Sequence, residues 1–549
     1  MKQHQFLGTA HKTNSASSQL KHKGMKKYSL IFLIGICSLV ACKKDFINIP
    51  SKNNPTLDTY YNTPQEVYAA TGYLYNSVWY DYTDKAFHAI GETLAGNMLT
   101  ETGPNYDGGS FNNFTVLSTD ALVASAWRSL YKVAGTATVL QSTFEQKIAT
   151  SGSTDYLQNA VAECRFIRAV AYFYLTRMYK DIPIVIDPVA LAGSGDYNVP
   201  RYIQSDVLKF ILEDLDYAEK NLPQTPVEKG RVSAYSATGM MAKVYLYMKD
   251  YANAKKKAGE VISSKKFDLY PDYEEMFTSS KANNNQESMF ALQWIASGGY
   301  GFANAVNCYA TPGPLMKPNF NTGYSSVYPT IDLLNSYDPA DKRRQWSNME
   351  HGFFRADWKN DNFPGGFKYD TTGTEYETAT TFRNGSRANS LKYVVGPGSN
   401  GEDLSPNGSS DMCTYILRYA DVLLIYAEAT LGTAPSTTDA SALDAFNKVH
   451  NRGGNFNNIP VTEITPDLIF KERRAEFAFE GDSWFDVQRR GFAWAKTYIA
   501  GQERGSYTGN GINSFKTSIT SESQLFLPIP QSETVSDPQL LQPAVPYYK

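Results

Sequence analysis

The chain has 549 residues, of which 42% are hydrophobic, and a formal net charge of −3. Such a chain can bury a sizeable core in one large domain or in two to three ordinary ones. A mildly acidic protein is a poor partner for nucleic acid, because neutralising phosphates takes clustered Lys and Arg. No HExxH, CxxC or EF-hand spacing occurs, so we expect no metal site and no cofactor. GxSxG and P-loop motifs are also absent, which gives no support for a serine hydrolase or a nucleotide site.

Near the start, Lys26 and Lys27 precede an apolar run of 14 residues, Tyr28 to Ala41. A membrane-spanning helix needs about 20 such residues, so this run fits the apolar core of a secretory signal. It ends in Leu-Val-Ala-Cys, which resembles a bacterial lipobox, and we therefore predict lipidation at Cys42. The alternative is an ordinary cleaved signal with a chance Cys.

The lipobox divides the chain into three parts. Residues 1–41 form a leader and signal peptide, and we expect translation to start at Met25 because the preceding polar residues have no role in export. Residues 42–55 form the lipidated N-terminus and a polar tether that reaches at most roughly 45 Å. Residues 56–549 form the folded domain. Removing the leader, which carries six Lys and no acidic residue, changes the net charge to −9.

Helical patterns dominate both ends of the folded domain. The first helix starts at a capping box of Thr63, Pro64 and Glu66. A pair of helices joined by a turn near residues 249–251 has small residues that allow close approach, as in tetratricopeptide units. The remaining predicted helical segments are 120–146, 161–179, 206–222, 415–429, 441–451 and 466–490. The fold class is therefore mainly α, a tetratricopeptide-like helical-repeat scaffold over about 56–295 and 411–549.

Between these parts, residues 296–410 are rich in Gly, Asn, Pro, Ser and Thr and have no sustained helical period. A structureless loop of that length is unusual, so we expect short strands and turns packed on the helices. From Trp294 to Tyr369 roughly a fifth of the residues are aromatic, against 13% in the whole chain. An irregular, aromatic-rich subdomain on a helical scaffold is where binding loops are expected.

Flat aromatic faces combined with polar groups are typical of sugar-binding surfaces. Two regions offer this combination, and for each residue core packing remains an alternative. The first region contains Trp79, Tyr80, Asp81, Tyr82, Asn97, Tyr106 and Asp107. The second region contains Trp294, Tyr300, Tyr309, Tyr328, Trp346, Trp358 and Tyr369.

Charged residues crowd the segment 472–490. Glu472, Glu476 and Glu480 are spaced to share one face of a helix. Two of them could form the carboxylate pair of a glycosidase, which needs a separation of about 5–9.5 Å. The interleaved Phe and Trp residues favour the other interpretation, a buried network of Arg and carboxylates that locks this helix onto its neighbours.

Ordered motifs in the chain resemble those of the SusD/RagB family of surface nutrient-binding lipoproteins of Bacteroidetes, and the match extends over essentially the whole mature chain. The Cys42 segment CKKDFINIP resembles the start of the family pattern. The later motifs are AECRFIRAVAYFYLTRMYKDIPIV (162–185), YILRYADVLLIYAEA (415–429), FNKVHNRGG (446–454), IFKERRAEFAFEGDSWFDVQRRG (469–491) and LFLPIPQSETVSDPQLLQ (525–542).

The resemblance implies a function. Members of this family sit on the outer face of the outer membrane, capture an oligosaccharide and pass it to a TonB-dependent barrel transporter of the SusC type. RagB-like members handle peptides instead, and neither group consists of enzymes. The resemblance thus implies a glycan ligand, a SusC-like partner and a lipid-anchored location at the cell surface. Two other classes stay open: a helical-repeat scaffold that binds only proteins, and a surface hydrolase.

Overall fold

Helices form most of the structure, a computed structural model that describes residues 60–549 apart from 104–105, 313–322, 360–362, 372–383, 397–403, 405–407, 455–459 and 509–510. The chain divides into two units, Met1–Tyr60 and Tyr61–Lys549. Only Tyr60 of the first unit is described. The predicted signal peptide, the lipidation site Cys42 and the tether therefore lie outside the described residues.

Twelve helices of seven or more residues lie within the described ranges. They are α1 Pro64–Gly72, α2 Ala121–Ser151, α3 Asp155–Tyr179, α4 Pro188–Ser194, α5 Gln204–Asn221, α6 Ala234–Tyr247, α7 Tyr251–Ser264, α8 Tyr419–Leu431, α9 Ala440–Arg452, α10 Pro466–Phe477, α11 Ser483–Arg489 and α12 Phe492–Gly501. Shorter α-helices span Tyr80–Thr83, Ala86–His88, Gly109–Asn112, Glu275–Thr278, Val306–Ala310, Ile331–Ser336, Arg343–Ser347 and Gln531–Ser536.

Strands are short and pair two by two. They are β1 Met98–Thr100, β2 Thr102–Gly103, β3 Tyr106–Asp107, β4 Ser288–Leu292, β5 Val327–Pro329, β6 Asn348–Met349, β7 Phe354–Arg355, β8 Phe367–Lys368, β9 Asn389–Ser390, β10 Thr414–Arg418, β11 Ser506–Thr508 and β12 Gly511–Asn513. The antiparallel pairs are β1–β5, β2–β3, β4–β10, β6–β9, β7–β8 and β11–β12.

Successive long helices pack against each other along the chain. Helix α2 packs on α3, α3 on α5, α5 on α6, and α6 on α7. The order continues across the irregular segment, since α7 packs on α8 and α8 on α9. This stacking of neighbouring helices confirms the predicted tetratricopeptide-like scaffold.

Local sequence signals explain where several helices begin. At α1 the Thr63 hydroxyl accepts a hydrogen bond from the Glu66 amide, and the Glu66 carboxylate accepts one from the Thr63 amide at 3.2 Å, which confirms the capping box. The predicted hairpin matches α6 and α7, and Asp250 caps the second helix by accepting from the Asn253 amide. Helix α3 begins six residues earlier than predicted, at Asp155, because Thr154 supplies a cap.

Two predicted helices are wrong in part. Residues 414–418 form strand β10 rather than the start of a helix, because they pair with β4 far away in the sequence. The predicted helix 466–490 is divided into α10 and α11 by a turn in which Gly481 has φ = +76°. The Phe87 ring packs directly on Gly481, where a Cβ atom would lie 2.2 Å from it, so the close contact requires glycine.

Buried ion pairs hold α10 in place. The Glu476 side chain is fully buried and pairs with Arg343, Arg418 and Arg452. The distances to the guanidinium groups of Arg418 and Arg343 are 2.5 and 2.9 Å. Arg343 also pairs with Glu472 at 2.7 Å. The predicted network of Arg and carboxylates is therefore confirmed.

A second set of buried ion pairs joins the other helices. Lys243 of α6 pairs with Asp421 of α8 and with Asp482, at 2.8 and 2.7 Å. Asp482 also pairs with Arg177 of α3 at 2.6 Å, and Arg473 of α10 pairs with Asp421 at 2.7 Å. Four helices thus share one connected group of charges.

Replacing Glu476 with Gln removes the central negative charge and keeps the side-chain size. The three guanidinium groups then lose a buried carboxylate partner, so we expect the free energy of unfolding to fall by ~3–5 kcal/mol. Urea denaturation followed by circular dichroism measures the loss. The matched control is Asp216→Asn, which breaks the exposed pair with Lys220 and should cost less than ~1 kcal/mol. Equal losses in the two variants would contradict the structural role.

Candidate functional site

The most exposed aromatic ring among the predicted binding residues is that of Tyr300, with 70% of its surface accessible. It lies in a short loop, residues 295–302, closed by a hydrogen bond of 2.9 Å from the Ile295 amide to the Phe302 carbonyl. Gly299 and Gly301, on either side of Tyr300, have φ of +70° and +91°. These left-handed conformations favour glycine, and they allow the tight loop that presents Tyr300 to solvent. We call residues 295–302 the Tyr300 loop.

Tyr300 packs against a buried ring, Tyr80, which in turn packs against a second buried ring, Trp294. The Tyr80 ring meets the Tyr300 ring edge-on, with centroids 5.0 Å apart and an angle of 68° between planes. The other contact of Tyr80 is with the Trp294 ring, at 6.3 Å. Both Tyr80 and Trp294 are buried, at 5% exposure. The exposed ring therefore stands on a fixed base, which lowers the entropy cost of holding it in one orientation.

A single carboxylate links this base to a second tyrosine. The Tyr309 hydroxyl donates to Asp84 Oδ1 at 2.9 Å, and the Tyr80 hydroxyl donates to the same oxygen at 3.3 Å. No hydrogen bond within the described residues reaches Asp84 Oδ2. That oxygen is available to accept a hydrogen bond from a ligand. Tyr80, Asp84, Trp294, Tyr300 and Tyr309 are called the Tyr300 cluster below.

Electrostatics keep the two phenols protonated. Burial raises the pKa of Tyr309 and of Tyr80, and the neighbouring Asp84 charge raises both further. Burial also raises the pKa of Asp84, while the Tyr309 hydrogen bond and the charge of Lys85 lower it. The phenols therefore remain donors to the carboxylate, which fixes the direction of both hydrogen bonds.

The cluster offers one apolar face and several polar groups at its edge. Phe302, at 47% exposure, extends the apolar surface of the Tyr300 loop. Asp81 is exposed; the pKa of Tyr300 is raised by the charge of Asp84 and by burial, with a smaller contribution from the charge of Asp81. A flat ligand with hydroxyl groups can stack on the Tyr300 ring and donate to the carboxylate oxygens. Stacking and hydrogen bonding are the two interactions that this surface offers to a ligand.

The structure brings five of the predicted residues together: Tyr80, Asp81, Trp294, Tyr300 and Tyr309. Tyr106 packs behind them, edge-on to the Tyr309 ring at 5.4 Å. Tyr328 and Trp346 are half-buried and lie elsewhere, in β5 and against Tyr273 respectively. Asp107 is exposed at the end of β3.

The remaining predicted residues belong to the core, which corrects the expectation of ligand contact. Trp79 is fully buried, and its indole nitrogen donates to the Leu74 carbonyl at 2.7 Å. Asn97 donates to Glu92 and accepts from Arg474, so its amide is occupied. Tyr82, Tyr106, Trp358 and Tyr369 are also buried. A ring without an accessible face cannot stack on a sugar.

Sequence reasoning missed Asp84, which joins the two tyrosines. A usable signal was present, because Asp84 lies four residues after Tyr80 and such a pair shares one side of a helical turn. The link from Asp84 to Tyr309 joins residues 225 positions apart, and no local pattern indicates it.

The carboxylates of α10 cannot act as a glycosidase pair. Burial alone would raise the pKa of Glu476, but the guanidinium groups of Arg452, Arg418 and Arg343 hold it well below the ordinary 4.5. The pKa of Glu472 is also lowered, against the effect of burial, by Arg343 and His450. A general acid needs a raised pKa and access to substrate, and both groups are buried and ionised.

Within the described ranges, no helix is long and apolar enough to cross a membrane. In the same part of the chain, no group of three or more His, Cys, Asp or Glu side chains is placed to hold a metal ion.

The stacked helices and the surface cluster define a helical-repeat protein with an exposed aromatic cluster. Two family models match the chain: the SusD family over residues 286–548, and a family described as starch-binding and associating with the outer membrane over residues 50–246. A SusD-like protein of Bacteroides ovatus is 30% identical, over 95% of this chain and 98% of the relative. The chain belongs to the SusD family.

Further similarities support the same assignment. SusD-like protein P2 of Formosa agariphila is 26% identical over 85% of this chain and 91% of its own length. A crystal structure solved with a xylogluco-oligosaccharide is 29% identical, with a TM-score of 0.76, and covers 88% of this chain and 99% of that one. A laminarin-binding SusD-like protein, at 23% identity and a TM-score of 0.66, shares the fold.

Replacing Trp79 with Ala tests the division between core and surface. Truncating this buried ring should lower the free energy of unfolding by ~3–5 kcal/mol, because it leaves a cavity. Tyr300→Ala should change the same quantity by no more than ~0.5 kcal/mol, since its ring is exposed. Denaturant titration of both variants measures the difference. A stable Trp79→Ala protein that has lost ligand binding would show that Trp79 belongs to the site.

Proposed function

We propose that this protein is a cell-surface lipoprotein that captures oligosaccharides and delivers them to a SusC-like TonB-dependent transporter. The observation that carries the proposal is the exposed Tyr300 ring, held by buried Tyr80 and placed beside the carboxylate of Asp84. A pyranose ring has an apolar C–H face and a rim of hydroxyls, which matches this arrangement. The related structure solved with a xylogluco-oligosaccharide supports a glycan ligand.

Capture without hydrolysis follows from the state of the carboxylates. Glu472 and Glu476 are buried among Arg side chains and ionised. We therefore propose a binding protein that is not an enzyme.

Peptide uptake, as in RagB-like proteins, is the alternative ligand class. An extended peptide commonly adds a strand to an exposed sheet edge and gains main-chain hydrogen bonds. The surface at the Tyr300 loop is instead one ring with a carboxylate at its side, which favours a sugar. A ligand panel that contains both classes distinguishes them.

Anchoring and delivery complete the proposal. Acyl chains on Cys42 hold the protein at the outer membrane, because several chains together give stable attachment. The family description as associating with the outer membrane supports this location. The tether of residues 43–55 allows the domain to move while it remains attached. A barrel transporter then receives the captured glycan.

Replacing Tyr300 with Ala should weaken binding of a xylogluco-oligosaccharide at least roughly tenfold, about 1.4 kcal/mol, because the stacking surface is lost. Tyr300→Phe should keep most of the affinity, since the ring remains. Isothermal titration calorimetry against a panel of neutral glycans and peptides measures both effects.

The matched control is Tyr197→Ala, which removes another exposed ring, at 52% exposure, outside the cluster. Its affinity should equal that of the wild type. Binding of peptides with no glycan bound would favour the RagB-like alternative. Binding of neither class would favour a protein-interaction scaffold, and release of sugar products would indicate a hydrolase.

Replacing Cys42 with Ser removes the thiol that carries the lipid. We expect the variant to move from the membrane fraction to the soluble fraction and to lose labelling by a fatty-acid analogue. Cys37→Ser, within the apolar run of the signal, is the control and should leave attachment unchanged.

Purification of the anchored protein in mild detergent should recover a barrel transporter with it. Recovery of the lipoprotein alone would count against the delivery step.

A further inference from the structure

A second concave site lies where the C-terminal segment 522–529 crosses the ends of the helical scaffold. It encloses about 580 Å³, within the range of about 300–1,000 Å³ that is typical of small-molecule sites. Its apolar wall includes Phe114, Val116, Tyr179 and Phe526. It shares no lining residue with the Tyr300 cluster. Nothing in the proposed function uses this pocket.

Two residues of the pocket have strained backbones. Phe114 has φ = +61°, and Lys180 at the end of α3 has φ = +66°. Neither is a glycine, so each conformation costs free energy. Such strain is found preferentially at binding sites, where the fold holds a side chain in a required place. In this pocket the two strained residues place the Phe114 ring and the Lys180 ammonium group in the wall.

The charge of the pocket is positive. Lys180 places its ammonium group 5.5 Å from the centre of the Phe526 ring. The guanidinium group of Arg201 donates to the Gln542 carbonyl at 2.6 Å, while its buried Nε has no hydrogen-bond partner. Within the described residues, neither cation has a carboxylate within ion-pair distance. Glu522 is the one acidic residue of the lining.

We propose that this pocket is a second glycan site, specific for a sugar residue that carries an anionic group. The apolar face of the sugar would lie against Phe526, and its carboxylate or sulfate group would accept hydrogen bonds from Arg201 and Lys180. A guanidinium group is suited to such planar or multidentate oxyanions. This inference rests on the proposed function in so far as the ligand is a glycan, but it concerns different residues.

The test uses the full-length protein and a galacturonate trimer, with an uncharged trimer and a sulfated trimer as further probes. Calorimetry should detect binding of the galacturonate or the sulfated trimer, and higher salt should weaken it because the attraction is electrostatic. The double variant Lys180→Gln with Arg201→Gln should bind the anionic trimer roughly tenfold more weakly or worse. Whichever anionic probe binds identifies the group that is recognised.

Two control variants separate this site from the Tyr300 cluster. Lys209→Gln removes another lysine that lies over an aromatic ring, Tyr548, outside the pocket, and should leave binding of the anionic trimer unchanged. Tyr300→Ala should also leave it unchanged while it weakens the neutral xylogluco-oligosaccharide. Loss of anionic binding in Tyr300→Ala but not in the double variant would overturn the second site.

A measurement on the wild type removes dependence on the folding of the variants. Carbodiimide coupling joins a carboxylate of the bound galacturonate trimer to a nearby amine as an amide, and peptide mass spectrometry locates the product. We expect the modified lysine to be Lys180. Absence of binding by both anionic probes would overturn the proposal. If the galacturonate trimer binds, coupling spread evenly over surface lysines would overturn it as well.

Discussion

The buried charges around Glu476 are the constraint on which the rest of the architecture depends. Each ion costs several kcal/mol to remove from water, and the cost is offset only when all partners are in place. The partners Arg343, Arg418 and Arg452 come from the start of the short helix Arg343–Ser347, the end of β10 and the end of α9. A packing that displaced any of these segments would leave an uncompensated buried charge, so the network selects one arrangement of helices and irregular segment.

The network also keeps the carboxylates of α10 away from the molecular surface. The densest group of carboxylates is buried and permanently ionised by Arg, so its role is structural. The exposed aromatic surface lies elsewhere, where Tyr300 contacts Tyr80 and Tyr80 contacts Trp294. Arg474 of the same helix bonds Asn97 and Asp332, and so connects the scaffold to the segments around β1 and β5. Rigid support and exposed contact thus arise from one set of helices.

Much of the scaffold could be predicted from the sequence because its signals are local. The capping box at Thr63 and the small residues of α6 and α7 depend on neighbours a few positions away. The misassigned strand β10 and the break at Gly481 depend on partners far along the chain, namely β4 and Phe87. The same limit applies to the site. Abundant aromatic residues indicated a binding surface, but burial of Trp79 and exposure of Tyr300 depend on tertiary packing.

The two glycines that flank Tyr300 have a consequence for how recognition can change. The left-handed backbone conformation is confined to Gly299 and Gly301, so the fold does not require a particular side chain at position 300. Its side chain can be exchanged without disturbing the core beneath it. A substitution at position 300 can therefore change which ligand is preferred with little effect on the free energy of folding. A helical body that stays constant can therefore present different side chains at this one exposed position.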